Sequence, residues 1–594
     1  MAAGRSLRRL TKSFHLLLAC QLALSLLVLG GCKLDDNRLK GSIRGLPSGE
    51  PPPGAPPPGD PPALPSLSFS PEPHYYSQDS LSLGPSLEDP LNLIESFSIS
   101  PGLPEGLHFD STTGEISGSL PPLPRSTYTI SVHTAYGIVS YDIELEAHYR
   151  AVVTSNADES DTDLEDGICD SDPGEDIVCT LRAALEQANH FKPLPARIEL
   201  PNLDFELNGT ELLIETNMEL IGAGPSETII RQTTGATQRV LNIRDSEEVN
   251  SFLIEGVTIR DGNNGGVGVF DSVSGGGVYL LLGNQTQLTL RNCELLDNMA
   301  SGFSGFGGAI YIASPLGTTA ERHMLIENCR IEGNSAFNYG GGISWFNSGP
   351  GHLQIINSLL KANEVPCCVY SGSALYMNGK GRITLDSSEV LNNMGSAALY
   401  IQYHSNLIRI QNSTIANNGA SGLYLRQVHE GPAEIINSTF SENSGPAIYG
   451  RRQSPYSSFP MSIINSSFQS HGTHLQLTDG VDLTLANSVF ANASTANCTI
   501  SGGSTVTSLG GNVAQGANTC LLDTAIDLAS TNPLFDAGGL KYQNAEDLTQ
   551  TIALQETSPA RGFGVEAYCP EKDQIGQDRP SEGSCDSGAL EYQD

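Results

Sequence analysis

An all-β chain, most of it wound as a solenoid of parallel strands, is what the sequence predicts on three observations. One spacing of apolar residues around a turn-forming residue recurs from about 218 to 500. A small side chain follows each turn, and a second Asn column and a Tyr column come after it. The interval between repeats varies while the pattern inside them holds, as expected when stacked strands keep register and loops of unequal length leave one edge.

The repeat aligns on Gly256, Asn292, Asn328, Asn357, Ser387, Asn412, Asn437, Asn465 and Asn487, at intervals of 36, 36, 29, 30, 25, 25, 28 and 22 residues. Two and four places before each anchor, and three places after it, all 27 residues are apolar, from Phe252, Ile254 and Ile259 to Leu483, Leu485 and Phe490. Buried places are even before the anchor and odd after it. Side chains alternate along a strand, so this change of phase predicts a bend at the anchor. Asn tolerates the left-handed conformation of a sharp corner. Asn298, Asn334, Asn363, Asn393, Asn418 and Asn443 stand six places on and mark a second corner. Tyr279, Tyr311, Tyr376, Tyr400, Tyr424 and Tyr449 mark a third strand per coil. Its neighbours alternate with it, and the buried face of this strand is left open.

Taken in order, residues 1–32 read as an export leader and anchor. Arg5, Arg8, Arg9 and Lys12 precede an apolar run at 15–29 that is short for a membrane span. Leu29-Gly30-Gly31-Cys32 looks like the lipobox of bacterial lipoproteins, which implies cleavage before Cys32 and its acylation, so a lipid membrane is an expected partner. Residues 33–66, with Pro51-Pro52-Pro53 and Pro56-Pro57-Pro58, cannot bury a core and read as a stiff stalk. Residues 67–149 carry short alternating runs such as Thr127–Val132 and Val139–Ile143, half-buried strands with turns between. Leu103 to Asp110 with Thr113-Gly114-Glu115-Ile116-Ser117-Gly118 resembles the immunoglobulin-like domains of bacterial surface proteins, which implies a small N-terminal β-sandwich.

Residues 150–195 hold an acidic loop and a capping segment. Cys179-Thr180-Leu181-Arg182-Ala183-Ala184 resembles the Cys-Ser-Leu-Arg-Glu-Ala motif region that precedes β-helices in exported proteins. Ala183 replaces the family's Glu, which removes one polar contact and keeps the helical spacing of Leu181, Ala184, Leu185 and Ala188. A short helix covering the open solenoid end follows, since a solenoid end must be covered. Residues 196–535 look like the right-handed parallel β-helix repeat family. Residues 536–594, with Asn532-Pro533-Leu534-Phe535 before them and Cys585 to Glu591 within, resemble the terminal segment after such helices and imply a C-terminal cap, Ser587 standing where an aliphatic is usual.

A formal charge of −35, from 66 acidic and 31 basic residues, argues against nucleic acid as a partner. Of 12 cysteines, Cys20 and Cys32 fall in the leader. Among the other ten, sequence proximity suggests Cys169 with Cys179, Cys498 with Cys520 and Cys569 with Cys585, other connectivities staying open. Cys293 and Cys329 fall in one inward column as a stacked pair that a disulfide could bridge, and the role of the vicinal Cys367-Cys368 is open. Asp161, Asp163, Glu165 and Asp166 could chelate calcium, but Gly167 comes one place late for an EF-hand loop, so a solvated acidic loop is the simpler reading. His471 and His474 lack further zinc ligands and read as a polar loop.

The serine column reads as packing, because no His or acid stands in register with it. Glu294 and Glu332 are outward-facing neighbours, but Arg330 and Lys361 lie among them, and a mixed-charge ladder is simpler than a catalytic pair. Three functions stay in view. The first is a non-enzymatic surface protein binding glycans, matrix or other cells. The second is a polysaccharide lyase or glycosidase acting in a groove of the β-helix, and the third a passive envelope spacer.

Overall fold

The computed structural model describes residues 65–592, except 73, 90, 175, 245–250, 267–269, 284, 315–320, 348, 369–370, 403–405, 427–430, 453–458 and 581–582. Cys32 and the stalk, apart from Pro65 and Ser66, lie outside the described residues. The body is a right-handed parallel β-helix with three long sheets of sixteen, thirteen and eleven strands. One coil shows the plan. Gln287–Arg291 lies in the first sheet, Glu294–Leu296 in the second and Ile310–Ala313 in the third, and His323–Glu327 then returns beside Gln287–Arg291.

Corners and core follow from the repeat. All nine anchors have positive φ, from 44° at Asn465 to 69° at Gly256. All 27 flanking apolar residues are buried, none more than 3% exposed. They pair in strict register, Leu288 on Met324 on Leu353 on Ile383 on Ile408, so each aliphatic column is continuous. The second corner differs in detail from the sequence reading. Its left-handed residue stands five places after the anchor, at Asp261, Asp297, Gly333, Ala362, Asn392, Asn417, Glu442, Ser470 and Asn492. The Asn of the next place turns inward instead. Asn393 accepts from the backbone N–H and Nδ2 of Asn363, and its own Nδ2 donates to Asn418 Oδ1 and to the Leu360 carbonyl. Such a ladder satisfies backbone groups that a corner would otherwise bury unpaired.

The small column is a second ladder. The N–H of Ser358 donates to Ser388 Oγ, that of Ser388 to Ser413 Oγ, and so on to Ser466 and Ser488. Cys293 and Cys329 begin this column, buried and unbridged.

The N-terminal sandwich packs one sheet, containing Ile94–Ser100, Leu123–Thr134 and Gly137–Val152, against Ser80–Leu83, Leu107–Phe109 and Ile116–Ser119 around Phe97, Ile116, Ile130 and Leu145. Its longest strand does not stop at residue 149. Gly137–Val152 pairs in parallel with Ala196–Glu199 of the first coil, Tyr149 opposite Ala196 and Val152 opposite Glu199. The sandwich and the solenoid therefore share one sheet. Helix Leu181–His190 covers the end of the core, with Leu181, Ala184, Leu185 and Ala188 buried and Thr180 Oγ1 accepting from Ala183 N–H as N-cap. Ala183 is wholly buried, a place where a carboxylate would have to be desolvated.

Residues 498–529 close the other end, with Cys498, Cys520 and Leu522 in the main core. Residues 536–592, expected as a cap, lie back along the flank of the second sheet. Tyr542 Oη and Gln550 N–H donate to Glu389, Gln574 Nε2 donates to Thr414, and Arg579 Nη2 donates to Asn437 Oδ1. Ser587 Oγ donates to the Gly511 carbonyl at 2.5 Å, a bond that an aliphatic residue could not make.

Candidate binding groove and placement of the predicted site residues

The shared sheet builds a groove where the sandwich meets the first coils. Tyr75–Tyr76 pairs beside Ala147 and His148, which gathers His74, Tyr76 and His148 into one cluster. His74 and His148 stack with centroids 4.5 Å apart, and Tyr76 meets them edge-on at 5.8 and 6.0 Å. Beneath, an outward row runs Arg150, Arg197, Glu219, Leu253, Thr289 from strand to strand. The groove has a volume of about 500 Å³ and is also lined by Gln287 and Arg291.

Its electrostatics are balanced. Arg197 holds Glu199 at 3.0 Å and Glu219 at 2.8 Å, and Arg291 holds Glu327 at 2.9 Å. Burial, and next His74, push the His148 imidazole below its usual range, so it is neutral at pH 7 and can both donate and accept. Ring surfaces beside amide, hydroxyl and guanidinium groups can meet a ligand that has both apolar faces and many hydroxyls. Among the lining residues Glu219 is the one carboxylate, so the groove does not present the two carboxylates that glycoside hydrolysis uses.

The Tyr column faces outward from the third sheet. Tyr279, Tyr311, Tyr376 and Tyr400 are nonetheless buried, while Tyr424 and Tyr449 are half-buried. Phe346 and Tyr339 bridge the break at Ser344, and rings stack onward at 4.4 Å from Tyr339 to Tyr376, 5.6 Å to Tyr400, 4.8 Å to Tyr424 and 4.4 Å to Tyr449. Neighbouring rings occupy each other's faces, so most of the column serves packing. Phe303, 82% exposed, lies 5.3 Å from Phe337.

Glu294 and Glu332 do not form a catalytic pair. Arg330 bridges them at 3.4 and 2.6 Å, and Lys361 adds a contact to Glu332 at 3.3 Å. The acidic-loop carboxylates take local hydrogen bonds, and Glu165 lies 3.7 Å from His190 Nε2. Asp161 accepts from the N–H of Asp163 and Asp170, Asp163 from Glu165 N–H, and Asp166 from Ile168 N–H and Gln187. Among the described residues no three His, Cys, Asp or Glu gather as a metal site.

Disulfides join Cys169 to Cys179, Cys498 to Cys520 and Cys569 to Cys585. His471 and His474, read as a polar loop, are instead 2% and 0% exposed. His471 stands six places after Asn465 and takes the ladder position, its Nδ1 accepting from Asn443 N–H at 3.2 Å. His474 enters the strand Thr473–Thr478 among Phe468, Phe490 and His471. The same spacing that located the Asn column could have located His471. Nothing local marked the groove, whose residues are scattered from 74 to 291 in the chain.

Residues 373–532 match the family described as "Right handed beta helix region", and residues 60–146 match that described as "Putative Ig domain". The two matches fall on the solenoid and on the N-terminal sandwich respectively. No curated protein matches it. Solved structures with an overlapping fold include the catalytic domain of GH87 alpha-1,3-glucanase in complex with nigerose, at 11% identity and TM-score 0.32. An alanine-substituted form of that domain in complex with tetrasaccharides overlaps at 12% and 0.31. Each overlap covers 75% of this chain and 97% of the other. A likeness so distant bears on neither substrate nor activity.

Proposed function

We propose that the protein is an exported, lipid-anchored β-helix protein of the bacterial outer membrane or cell surface that binds glycans, matrix or neighbouring cells, and that glycans are bound without being cleaved. The groove carries this reading: His74, Tyr76 and His148 supply rings, while Arg197, Gln287 and Thr289 supply hydrogen bonds on an open floor. The lipobox-like Leu29-Gly30-Gly31-Cys32 supports anchoring, and three disulfides suit an oxidising compartment outside the cytosol.

Glycan-array binding of the full-length protein, followed by assays for new reducing ends and unsaturated sugars, tests it. Tyr76→Ala and His74→Ala are each expected to weaken binding roughly threefold to tenfold, the worth of one ring contact. Unaltered binding by both variants would remove the groove from the account. Product release would replace binding with catalysis.

A further inference from the structure

Cys367 and Cys368 are adjacent in sequence and free, and hydrogen bonds hold residues on either side of them. On one side Glu364 N–H donates to the Asn334 carbonyl and Val365 N–H to the Met394 carbonyl. On the other, Ser371 N–H donates to Ser396 Oγ, and Ser371 Oγ donates back to the Cys368 carbonyl. Between these pins the two sulfurs lie 3.0 Å apart, and Cys368 Sγ is 3.2 Å from Asn338 Oδ1. Cys367 is exposed and Cys368 half-buried, whereas the other described free pair, Cys293 and Cys329, is sealed in the core. An oxidant can therefore reach the first pair and not the second.

We propose that Cys367-Cys368 is a redox modification site, a vicinal dithiol that closes into a cyclic disulfide by exchange with a low-molecular-weight disulfide. Cys367 thiolate attacks one sulfur of the external disulfide, forming a mixed disulfide and releasing one thiolate. Cys368, after losing its proton to solvent, attacks the Cys367 sulfur and expels the second thiolate. One external disulfide becomes two thiols while the protein's two thiols become one S–S bond, so electrons and protons balance. The sulfurs are already within reach, so the second step is intramolecular and needs little ordering of the chain. Burial raises the Cys368 thiol to about 11, which suits the exposed Cys367 to the first attack. Closure consumes the S–H that reaches Asn338, the neighbour of Tyr339 in the ring stack. The dithiol stands apart from the groove, and its chemistry does not depend on glycan binding.

Full-length protein incubated with oxidised glutathione, alkylated with a maleimide and digested gives the test by mass spectrometry. The wild-type peptide spanning Pro366 to Cys368 is expected to lose the mass of two hydrogens and to take neither glutathione nor maleimide. Cys368→Ser removes the second attack, and its Cys367 should accumulate the glutathione adduct that wild type does not hold. Cys293 and Cys329 should alkylate only after denaturation, which reports that the fold was intact. Two maleimides on the wild-type peptide, or a glutathione adduct equal to that of Cys368→Ser, overturns the proposal.

Discussion

Between pH 6.5 and about 4, two buried imidazoles are expected to cost the protein on the order of 5 kcal/mol of stability. Burial lowers His471 to about 4 and His474 to about 3, with His471 adding to the shift at His474. The unfolded chain takes up a proton at each ring near pH 6.5, while the folded chain does not until the pH is far lower. Within that window the unfolded state binds more protons, so stability falls as pH falls. The loss ends below about 3, where both states are protonated. Buried Asp573 and Glu591, whose carboxyls are raised by burial, act in the opposite sense, so the effect is read as a difference between proteins. His474→Phe keeps a ring among Phe468 and Phe490 and removes the titrating nitrogens. Its denaturation midpoint should fall less with acid than that of wild type. Parallel pH profiles for the two proteins would exclude His474 as a source of the acid sensitivity.

The second large effect is expected at the centre of the inner amide ladder. Asn393→Ala deletes two donated and two accepted hydrogen bonds in a place that is 1% exposed. The Asn363 N–H and the Leu360 carbonyl are then buried without those partners, which costs about 1–3 kcal/mol for each group, so about 4 kcal/mol in all. In a solenoid each coil rests on its neighbours, so the loss should also uncouple the coils on either side. Hydrogen exchange should rise first at Leu360, Asn363 and Asn418. Asn392→Ala, one residue away and outside the ladder, is the comparison, and equal effects from the two would show that the corner rather than the ladder is what matters.

The coils were legible because a corner leaves a double mark. A left-handed residue admits few side chains, and Asn or Gly at Asn292, Asn328 and Gly256 records it. The shift of apolar parity on either side records the bend itself. Where the left-handed place carries Ala362, Glu442 or Ser470, no such mark exists, and the sequence points instead to the inward Asn of the following place. The Tyr column was visible as a column, but alternation cannot say that loops from the same coils would bury its outer side. The groove was illegible for a different reason. His74 comes from just before the strand Tyr75–Tyr76, His148 from Gly137–Val152, and Arg197 and Glu219 from two coils, and the shared sheet brings them together.

That shared sheet also decides what can be cut from the molecule. No flexible hinge separates residue 149 from the solenoid, because the strand Gly137–Val152 is itself the neighbour of Ala196–Glu199. A fragment beginning after Val152 would bare the main-chain donors and acceptors of Ala196–Glu199 along a raw rim. Such a rim recruits a strand from another molecule. The shortened protein should form dimers or larger species in sedimentation where the whole chain does not, and the sandwich is in this sense the solenoid's stopper against polymerisation.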